Sequence, residues 1–329
     1  MLGAEPGVRF VIDLRRGSFP VIFSRRAGPF IPGKGLRTRR RCPLGVEAAT
    51  NSSGVSIMSE AEAVGKTKGM PATVGSLTDD LSQLGVRPGM TLLVHSSLSS
   101  LGWVCGGAVA VVLAIEKALG PEGTLMMPAH SGDLSDPSKW RNPPVPEAWW
   151  ETIRSTMPAF DVDMTPSRGI GAISECFRSQ PGTLRSNHPS DSFVARGPDA
   201  EKIVGEHSLE FSMGDHSPLA RVYDLDGHIL LLGATFECCS SLHLAEFRAD
   251  YPTKKQIERG APIALNGKRA WVRYQDFDTE DSDFLSIGKS FGESTGLVRT
   301  GPVAYGTAQL MPQRALVDYA VKWMEENRR

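Results

Sequence analysis

The chain has 329 residues, of which 40% are hydrophobic and 22% are charged, a composition typical of a globular protein with enough apolar residues for one large core or two smaller ones. The formal net charge is -1, and no apolar run approaches the roughly eighteen residues that a membrane-spanning helix needs, which argues against insertion into a membrane. The five cysteines form no CxxC pair and are odd in number, so the sequence disfavours a disulfide framework or a zinc ribbon and favours a reducing cytoplasm.

The first 57 residues differ from the rest of the chain in charge. They carry ten basic and three acidic residues, including RTRRR at 37–41, whereas the remainder has twenty-six basic and thirty-four acidic residues. A nucleic-acid-binding arm, a targeting peptide and an extension without a packed role all fit such a segment. It lacks a continuous apolar core, it is broken by Gly and Pro, and Met58 begins a stretch typical of a protein start. We therefore expect a poorly ordered or non-functional extension at 1–57 and a functional domain at 58–329.

A regular pattern of elements begins with a helix, a strand and a second helix. SLTDDLSQLG predicts a helix that Ser76 or Thr78 caps and that Gly85 ends, and RPGM predicts a turn into a strand at 91–95. The next helix is expected from about 107 to 119, and GTLMMPA after it predicts a second buried strand. A strand, a helix and a strand with a short return are typical of a parallel pair with a right-handed crossover.

The rest of the chain alternates between further elements and irregular segments. Residues 131–150, with three tryptophans and no period, predict a long loop of the kind that often carries function, and Asn266-Gly267 is a strong signal for a hairpin turn. The other expected elements are helices at 171–182, 198–207, near 240–247 and at 308–327, and strands at 192–197 and 228–233. Together they predict an α/β (α+β) fold: a central, mostly parallel sheet flanked by helices, with an antiparallel β segment in the C-terminal third.

The segment HSSLSSLGWVCGG, residues 95–107, joins the first expected strand to an amphipathic helix. In open α/β sheets, ligands bind at the carboxyl ends of strands, where loops lead into helix N-termini. Small serine and glycine residues let backbone amides approach an anion, which the hydroxyl groups and the helix dipole also attract. The pattern is neither a P-loop nor a dinucleotide fingerprint. It favours a phosphate-bearing ligand, although a plain loop whose serines cap the next helix fits the local sequence equally well.

Seven histidines are candidate proton acceptors. No pair has the i, i+4 spacing of a helical zinc site, so we expect no metal, although His243 and Glu246 would share one helix face. His95 and His130 each follow an expected strand and would lie at the same sheet edge. His188 lies in a polar loop before a proline, where an imidazole is more often exposed or catalytic than buried. Each histidine could instead be structural, but together they indicate a proton-transfer site.

Six segments of the chain resemble one enzyme family. They are, in order, LLVHSSLSSLG, MMPAHS, TPSRGIGAISECFR, RSNHPSDSFVARG, GDHSPLARVYDLDGHILLLG and SLHLAEF. Their order and spacing over roughly 70–325 are similar to those of the aminoglycoside 3-N-acetyltransferase family, whose members transfer the acetyl group of acetyl-coenzyme A to an amine of an aminoglycoside antibiotic. The resemblance implies the same activity, with acetyl-coenzyme A as co-substrate, and it does not extend to residues 1–57.

The resemblance also implies a binding site for the coenzyme. The serine-rich loop at residues 95–102, which we call the serine loop, would hold the pantetheine and phosphate region. The segment at 165–168 would line the same channel, with Arg168 as a phosphate partner. The residues expected to contact the coenzyme are Ser96, Ser97, Leu98, Ser99, Gly102, Thr165, Ser167 and Arg168.

Catalytic and acceptor-binding residues are implied in the same way. His188, in an HP element, corresponds to the residue that deprotonates the attacking amine. Asp224 corresponds to an acid that orients an imidazole, at a position where family members often carry glutamate. The residues expected to bind the acceptor are His130, Asp133, Ser217, His243 and Glu246, of which the last two could also belong to the catalytic cluster.

These residue types suit the reaction that the resemblance implies. Only a deprotonated amine attacks a thioester, and a histidine whose other ring nitrogen is bonded to an acid can accept the proton. We therefore expect His188 and Asp224 to act as general base and orienting acid, contributing roughly 10² to 10⁴ in rate. Amides of the serine loop, or His95 at its start, would stabilise the negative oxygen that develops. Acids such as Asp133 would attract a cationic acceptor.

Three other functions fit parts of the sequence. A serine hydrolase would use Ser96, Ser97 or Ser217 with His188 and Asp224, although the chain has no G-x-S-x-G element. A related transferase would acetylate a non-antibiotic amine, and a sequestering protein would bind aminoglycosides without chemistry. The expected partners are coenzyme A and a small aminoglycoside, without nucleic acid or membrane, for a cytoplasmic monomer or homodimer.

Overall fold

The computed structural model describes residues 60–329, so the predicted extension at 1–57 lies outside the described residues. The helices of the described part are α1 (Glu60–Lys66), α2 (Val74–Leu84), α3 (Gly107–Leu119), α4 (Trp150–Thr156), α5 (Ala172–Arg178), α6 (Ala200–Val204), α7 (Pro218–Asp224), α8 (Ser240–Arg248), α9 (Phe284–Thr295) and α10 (Gln313–Asn327). Its strands are β1 (Thr91–Ser96), β2 (Thr124–Pro128), β3 (Leu184–Arg185), β4 (Phe193–Arg196), β5 (His228–Leu232), β6 (Gln256–Leu265), β7 (Lys268–Phe277), β8 (Arg299–Val303) and β9 (Gly306–Pro312). None of these helices is both long and apolar enough to cross a membrane.

The main sheet is parallel at its centre and antiparallel at its sides. Its strand order is β3-β4-β2-β1-β5-β9-β8, in which β1 pairs in parallel with β2 and β5. The outer pairs, β2 with β4, β4 with β3, β5 with β9 and β9 with β8, are antiparallel. The predicted α/β class is confirmed, but the prediction of a mostly parallel sheet is wrong, because parallel pairing is limited to the three central strands. A buried apolar run identifies a strand without giving its direction.

The crossover helix α3 forms at Gly107–Leu119, as the sequence predicts, and joins the parallel strands β1 and β2. The helix α2 packs against it and begins earlier than expected. Its cap is Thr73 rather than Ser76 or Thr78: the Ser76 amide donates to the Thr73 hydroxyl at 3.2 Å, and the Thr73 amide donates to the Ser76 hydroxyl at 2.9 Å. This capping box satisfies amides that the first helical turn leaves free. Gly85 ends α2 with a φ of 117°, as predicted.

Both faces of the central sheet are covered, and each face has its own apolar core. On one face Leu93, Ile229 and Leu231 pack with residues of α7, α8, α9 and α10. On the other face Leu92 and Val94 pack with residues of α2, α3 and α5. Burial on both faces explains why β1, β2 and β5 are nearly continuous apolar runs in the sequence. It also fixes the carboxyl ends of these strands, where the candidate site lies.

The C-terminal third contains the predicted antiparallel segment. Strands β6 and β7 form a separate two-stranded sheet, and their turn residues Asn266 and Gly267 have φ values of 50° and 72°, as a type I′ hairpin requires. The predicted helix at 308–327 is partly wrong, because residues 308–312 belong to β9 and pair with β5. The helix α10 begins only after Pro312.

Candidate active site

A cavity with a volume of about 1130 Å³ lies at the carboxyl ends of the parallel strands. His95 and Ser96 end β1, Pro128 ends β2 and Ala234 follows β5, and all four residues line the cavity. This is the sheet edge at which the sequence predicts a site, because loops there lead into helix N-termini. The site is therefore built on strands that two apolar cores hold in place.

Residues 96–102 of the serine loop form one side of the cavity, and we call this side the serine wall. The predicted coenzyme contacts that line the cavity here are Ser96, Ser97, Leu98, Ser99 and Gly102. The Ser100 hydroxyl donates to the Gly233 carbonyl at 2.8 Å and fixes the loop to the end of β5. Gly106 and Gly107, which also line the cavity, have φ values of 90° and 56° that side chains rarely tolerate, so bare backbone faces the cavity. The serine wall thus offers amides and hydroxyls to an anionic or carbonyl-rich ligand.

A second stretch of backbone, residues 169–172, runs alongside the serine wall. All four of its residues line the cavity. Gly171 has a φ of 84°, and a Cβ at this position would lie 3.6 Å from the carbonyl oxygen of Ser96. The two stretches are therefore close enough to form a narrow slot between them.

Four residues that the sequence places at the site lie outside the cavity lining. Thr165 and Ser167 are held in local hydrogen bonds. Arg168 and Asp133 form an ion pair at 3.8 Å, with 63% and 43% of their side chains exposed. The lining stretch begins one residue after Arg168. The predicted contacts of these four residues with ligands are therefore not supported, because their side chains are engaged by neighbours or face solvent.

His243 and Glu246 form a hydrogen-bonded pair on one face of α8. Nδ1 of His243 lies 2.8 Å from Oε2 of Glu246, and the ring packs on Phe284 with centroids 4.8 Å apart. Since a carboxylate can only accept, Nδ1 carries the proton and the lone pair of Nε2 remains available. His243 lines the cavity, whereas Glu246 is fully buried. An imidazole held in this tautomer can accept a proton from a ligand.

Arg328 and a backbone amide hold Glu246 in its ionised form. Nη1 of Arg328 lies 2.6 Å from Oε1 of Glu246, and the amide of Glu280 donates to the same oxygen at 2.7 Å. Burial by itself raises the pKa of a carboxyl group, but the hydrogen bonds from His243, Glu280 and Arg328 lower the pKa of Glu246 below its ordinary value. The carboxylate therefore keeps its charge beside the imidazole.

His95 and His130 line the same cavity as neutral rings. Burial, and after it the charges of His130 and His243, lower the pKa of His95 to about 3. Burial likewise lowers the pKa of His130 to about 4. The amide of Ser240 donates to Nε2 of His95 at 3.3 Å, so the proton of His95 is on Nδ1. Within residues 60–329, no three His, Cys, Asp or Glu side chains are grouped so that they could hold a metal ion.

A further side of the cavity carries an internal ion pair. We call it the hairpin wall, because Arg259 comes from the β6–β7 hairpin, and it also includes Asp191, Ser212 and Met213. Nη1 of Arg259 lies 3.6 Å from Oδ2 of Asp191, and Nε lies 3.1 Å from Oδ2 of the buried Asp276. This wall therefore holds one guanidinium group between two carboxylates.

His188, the predicted base, is fully buried and does not line the cavity. The amide of Asp191 donates to Nδ1 at 2.9 Å, and Nε2 donates to the carbonyl of Leu209 at 3.3 Å. The ring stacks on His207 at 4.7 Å, and burial lowers the pKa of His188. Because other groups occupy both ring nitrogens, the predicted hydrogen-bonded pair of His188 and Asp224 is wrong.

Asp224 and Ser217 also lie outside the cavity lining. Asp224 is in the last turn of α7, and 51% of its side chain is exposed. Its Oδ2 lies 3.4 Å from Nη2 of Arg221, with which it forms an ion pair. Ser217 is the N-cap of α7, and its hydroxyl accepts from the amide of Ala220. In the structure Asp224 therefore forms a surface ion pair and does not orient an imidazole. Ser217 caps a helix and does not reach the cavity where the sequence predicts that it binds a ligand.

Sequence reasoning missed the hairpin wall and the stretch at 169–172. Asp191 was visible in RSNHPSDSFVARG, three residues after His188. Arg259 belongs to no motif of the sequence, and only the fold brings it to the cavity. Glu60 and Ala63 of α1 line the cavity as well, although α1 precedes the first predicted element.

These features define a class of enzyme. A slot of amides and hydroxyls lies in the same cavity as an imidazole that a buried carboxylate orients, at the edge of an α/β sheet. Such an arrangement suits a transferase that deprotonates a nucleophile and passes to it a group held in the slot. The chain belongs to the aminoglycoside 3-N-acetyltransferase family, whose model matches residues 93–325.

Two known relatives match over nearly their whole length. The SPbeta prophage-derived aminoglycoside N(3')-acetyltransferase-like protein YokD of Bacillus subtilis (strain 168) is 47% identical over 258 residues, which are 78% of this chain and 94% of that protein. The aminoglycoside N(3)-acetyltransferase VIII of Streptomyces fradiae is 36% identical over an alignment of 284 residues, which covers 82% of this chain and 96% of that protein. The family resemblance seen in the sequence is therefore confirmed.

Solved structures share the fold. The crystal structure of YokD matches with a TM-score of 0.79 and 46% identity over 82% of this chain and 98% of that chain. AAC-IIIb in a binary complex with CoASH matches with a TM-score of 0.70 and 31% identity over 78% of this chain and 97% of that chain. AAC-VIa bound to sisomicin matches with a TM-score of 0.71 and 30% identity over 78% and 98%.

Proposed function

We propose that this chain transfers the acetyl group of acetyl-coenzyme A to the 3-amino group of an aminoglycoside in the cytoplasm, and that it thereby confers resistance to the antibiotic. We assign the activity to the domain at residues 58–329. The observation that carries the proposal is the pair of His243 and buried Glu246 in the cavity that the serine wall lines. Among the related structures, one contains CoASH and another sisomicin, which supports a site for both kinds of ligand.

The serine wall and the stretch at 169–172 would hold the acyl donor. Pantetheine carries amide and carbonyl groups, and the coenzyme phosphates are anionic, so backbone amides, hydroxyls and the N-terminus of α3 suit both parts. The ammonium group of Lys66 donates to the carbonyl of Ser100 at 2.8 Å and adds positive charge beside this wall. A positive charge at this position attracts the coenzyme phosphates through space.

His243 would act as the general base. Its Nε2 accepts the proton of the amine nitrogen as that nitrogen attacks the thioester carbon, and Glu246 stabilises the resulting imidazolium. The new carbon–nitrogen bond forms, the carbon–sulfur bond breaks, and the proton on His243 passes to the departing sulfur. Such general base catalysis contributes roughly 10² to 10⁴ in rate.

His95 and the amides of the serine wall would stabilise the negative charge that develops on the thioester oxygen. His95 ends β1 in the cavity, and its proton is on Nδ1 because Nε2 accepts from the Ser240 amide. Since burial lowers the pKa of His95 to about 3, the ring donates as a neutral imidazole throughout the neutral range. A fixed neutral donor stabilises an oxyanion without reorganisation during the reaction.

The proposal is tested by thiol release from acetyl-coenzyme A in the presence and absence of amines. We expect release that depends on an aminoglycoside with a free 3-amino group, and a product acetylated at that nitrogen by mass spectrometry and NMR. The same compound already acetylated at the 3-amino group is the control and should give no release. Rapid release without any amine would indicate a hydrolase, and antibiotic binding without release would indicate a sequestering protein; either result overturns the proposal.

Replacing His188 with alanine is expected to destabilise the fold rather than to remove the base. The change leaves the Asp191 amide and the Leu209 carbonyl unpaired, so the free energy of unfolding should fall by about 2–4 kcal/mol. Urea unfolding measures this loss, and kcat per folded molecule should stay within about tenfold of the parent value. A fully stable variant that has lost nearly all kcat would return His188 to the role of base.

A further inference from the structure

The hairpin wall brings a guanidinium group that is paired with two carboxylates into a cavity that has to admit a cationic acceptor. Among the described residues that line the cavity, Arg259 is the sole Lys or Arg. Its side chain is 28% exposed, and its ion pairs involve Nη1 with Asp191 and Nε with Asp276. The other guanidinium N–H groups have no hydrogen-bond partner within residues 60–329. One edge of the guanidinium is therefore available to a ligand.

Arg259 also compensates two carboxylates that would otherwise attract an ammonium group. Asp276 is completely buried and 15% of the Asp191 side chain is exposed, and both have Arg259 within ion-pair distance. Because both carboxylates already pair with Arg259, an ammonium placed against the free edge of the guanidinium would face only N–H donors and would find no acceptor for its own N–H groups. A hydroxyl oxygen would instead accept a hydrogen bond from the free N–H groups.

The position of Arg259 is fixed by the hairpin. In the β6–β7 register Arg259 lies opposite Tyr274, whose ring contacts His188 edge-on at 5.9 Å. The Tyr274 hydroxyl is 3.3 Å from the hydroxyl of Ser190, so the hairpin is anchored to the segment that carries Asp191. A hydrogen-bond donor held in place in this way discriminates between ligands, because it cannot move aside at low cost.

We propose that Arg259 makes the hairpin wall a subsite for a hydroxyl or another uncharged or anionic acceptor of hydrogen bonds, and that it selects against an ammonium at this position. The inference rests on the proposed function and narrows its substrate class. The acceptors favoured are amino sugars that present a hydroxyl to the hairpin wall, rather than those with an amine at every available position.

The test uses pairs of aminoglycosides that differ by one replacement of a hydroxyl by an amine. Paromomycin and neomycin B differ in this way at one ring, and kanamycin A and kanamycin B differ at another position of the corresponding ring. For at least one pair, kcat/KM of the parent enzyme should favour the hydroxyl compound by about tenfold, as an ammonium left without a hydrogen-bond acceptor at a partly desolvated site predicts. The variant Arg259→Gln should reduce this preference to within about twofold.

A matched variant separates charge from structure. Arg259→Lys keeps the positive charge and should retain the preference for the hydroxyl compound, although it loses the planar fork. Thermal unfolding is measured in parallel, because Arg259→Gln leaves two carboxylates without their partner. If that variant does not fold, Asp276→Asn replaces it: the guanidinium charge is then less compensated, so the preference should increase.

The outcomes for the two proposals are distinguishable. No thiol release with any of the four compounds overturns the proposed function. Release with equal use of both members of each pair by the parent, or a preference that is the same in the parent and the folded Arg259→Gln or Asp276→Asn variant, overturns the role of Arg259 alone.

Discussion

Replacing His243 with asparagine is expected to lower kcat for acetyl transfer by roughly two to four orders of magnitude. Asparagine can still donate a hydrogen bond to Glu246, but it has no basic nitrogen that could take the proton of the amine. The serine wall is untouched, so KM for acetyl-coenzyme A should change by less than about threefold. Thiol release at saturating aminoglycoside, measured over a range of acetyl-coenzyme A concentrations, gives both quantities.

His228 provides the matched control for this substitution. It begins β5 at the amino end of the strand, whereas the cavity lies at the carboxyl ends. His228→Asn should therefore leave kcat unchanged. Near-parental turnover in His243→Asn would remove His243 from the mechanism.

The elements that the sequence predicts well are those whose signals are local. The serine loop and α3 were located by small residues followed by a helical period, and the structure has the helix at Gly107–Leu119. The Asn266-Gly267 turn was equally clear, since positive φ values at both positions favour this pair. Such signals depend on neighbouring residues in the chain, which remain neighbours in any fold.

The direction of the strands depends on contacts that are distant in the chain. The helix predicted at 308–327 includes residues 308–312, which belong to β9 in the structure. In the fold, residues 308–312 pair with β5 about eighty residues earlier, and hydrogen bonds across that distance override the local period. Pro312 was the available signal, because a proline inside a predicted helix disfavours the helical conformation of the residue before it.

The candidate site shows the same division between local and distant information. His243 and Glu246 are three residues apart on one helix, so the sequence placed them on a common face. The family resemblance implies that His188 is the base, and its polar loop predicts an exposed or catalytic ring, yet Nε2 of the buried ring donates to the carbonyl of Leu209, which comes from a separate segment. Nothing near His188 in the sequence indicates this partner. Burial of a histidine is decided by the fold as a whole.

Replacing Glu246 with glutamine is expected to affect both catalysis and stability. A neutral amide does not stabilise the imidazolium and can donate to Nδ1, which favours the wrong tautomer, so kcat should fall by roughly 10² to 10⁴. The change also leaves the charge of Arg328 less compensated in the interior, where breaking an ion pair costs about 3–5 kcal/mol of the free energy of unfolding. Asp283 still binds Arg328 at 2.8 Å, so we expect the lower end of this range.

The effect of Glu246→Gln on stability should depend on pH. The fold lowers the pKa of Glu246, so its stabilisation is fully present above the ordinary glutamate pKa of about 4.3 and is lost as the pH falls through the lower value in the fold. The difference in unfolding free energy between the parent and Glu246→Gln should therefore narrow in acid. Urea unfolding at a series of pH values measures it.

Asp283→Asn separates the positioning of His243 from the stability of the network. Asp283 binds Arg328 through both carboxylate oxygens at 2.8 Å, whereas the hydrogen bond of His243 is to Glu246. Loss of Asp283 should therefore lower the unfolding free energy and leave kcat within about threefold of the parent. Glu246→Gln, at comparable stability, should have lost nearly all turnover. Equal kcat values in the two variants would mean that Glu246 only stabilises the fold. A loss of turnover confined to Glu246→Gln assigns the carboxylate to orienting the imidazole, since the two variants weaken the same arginine.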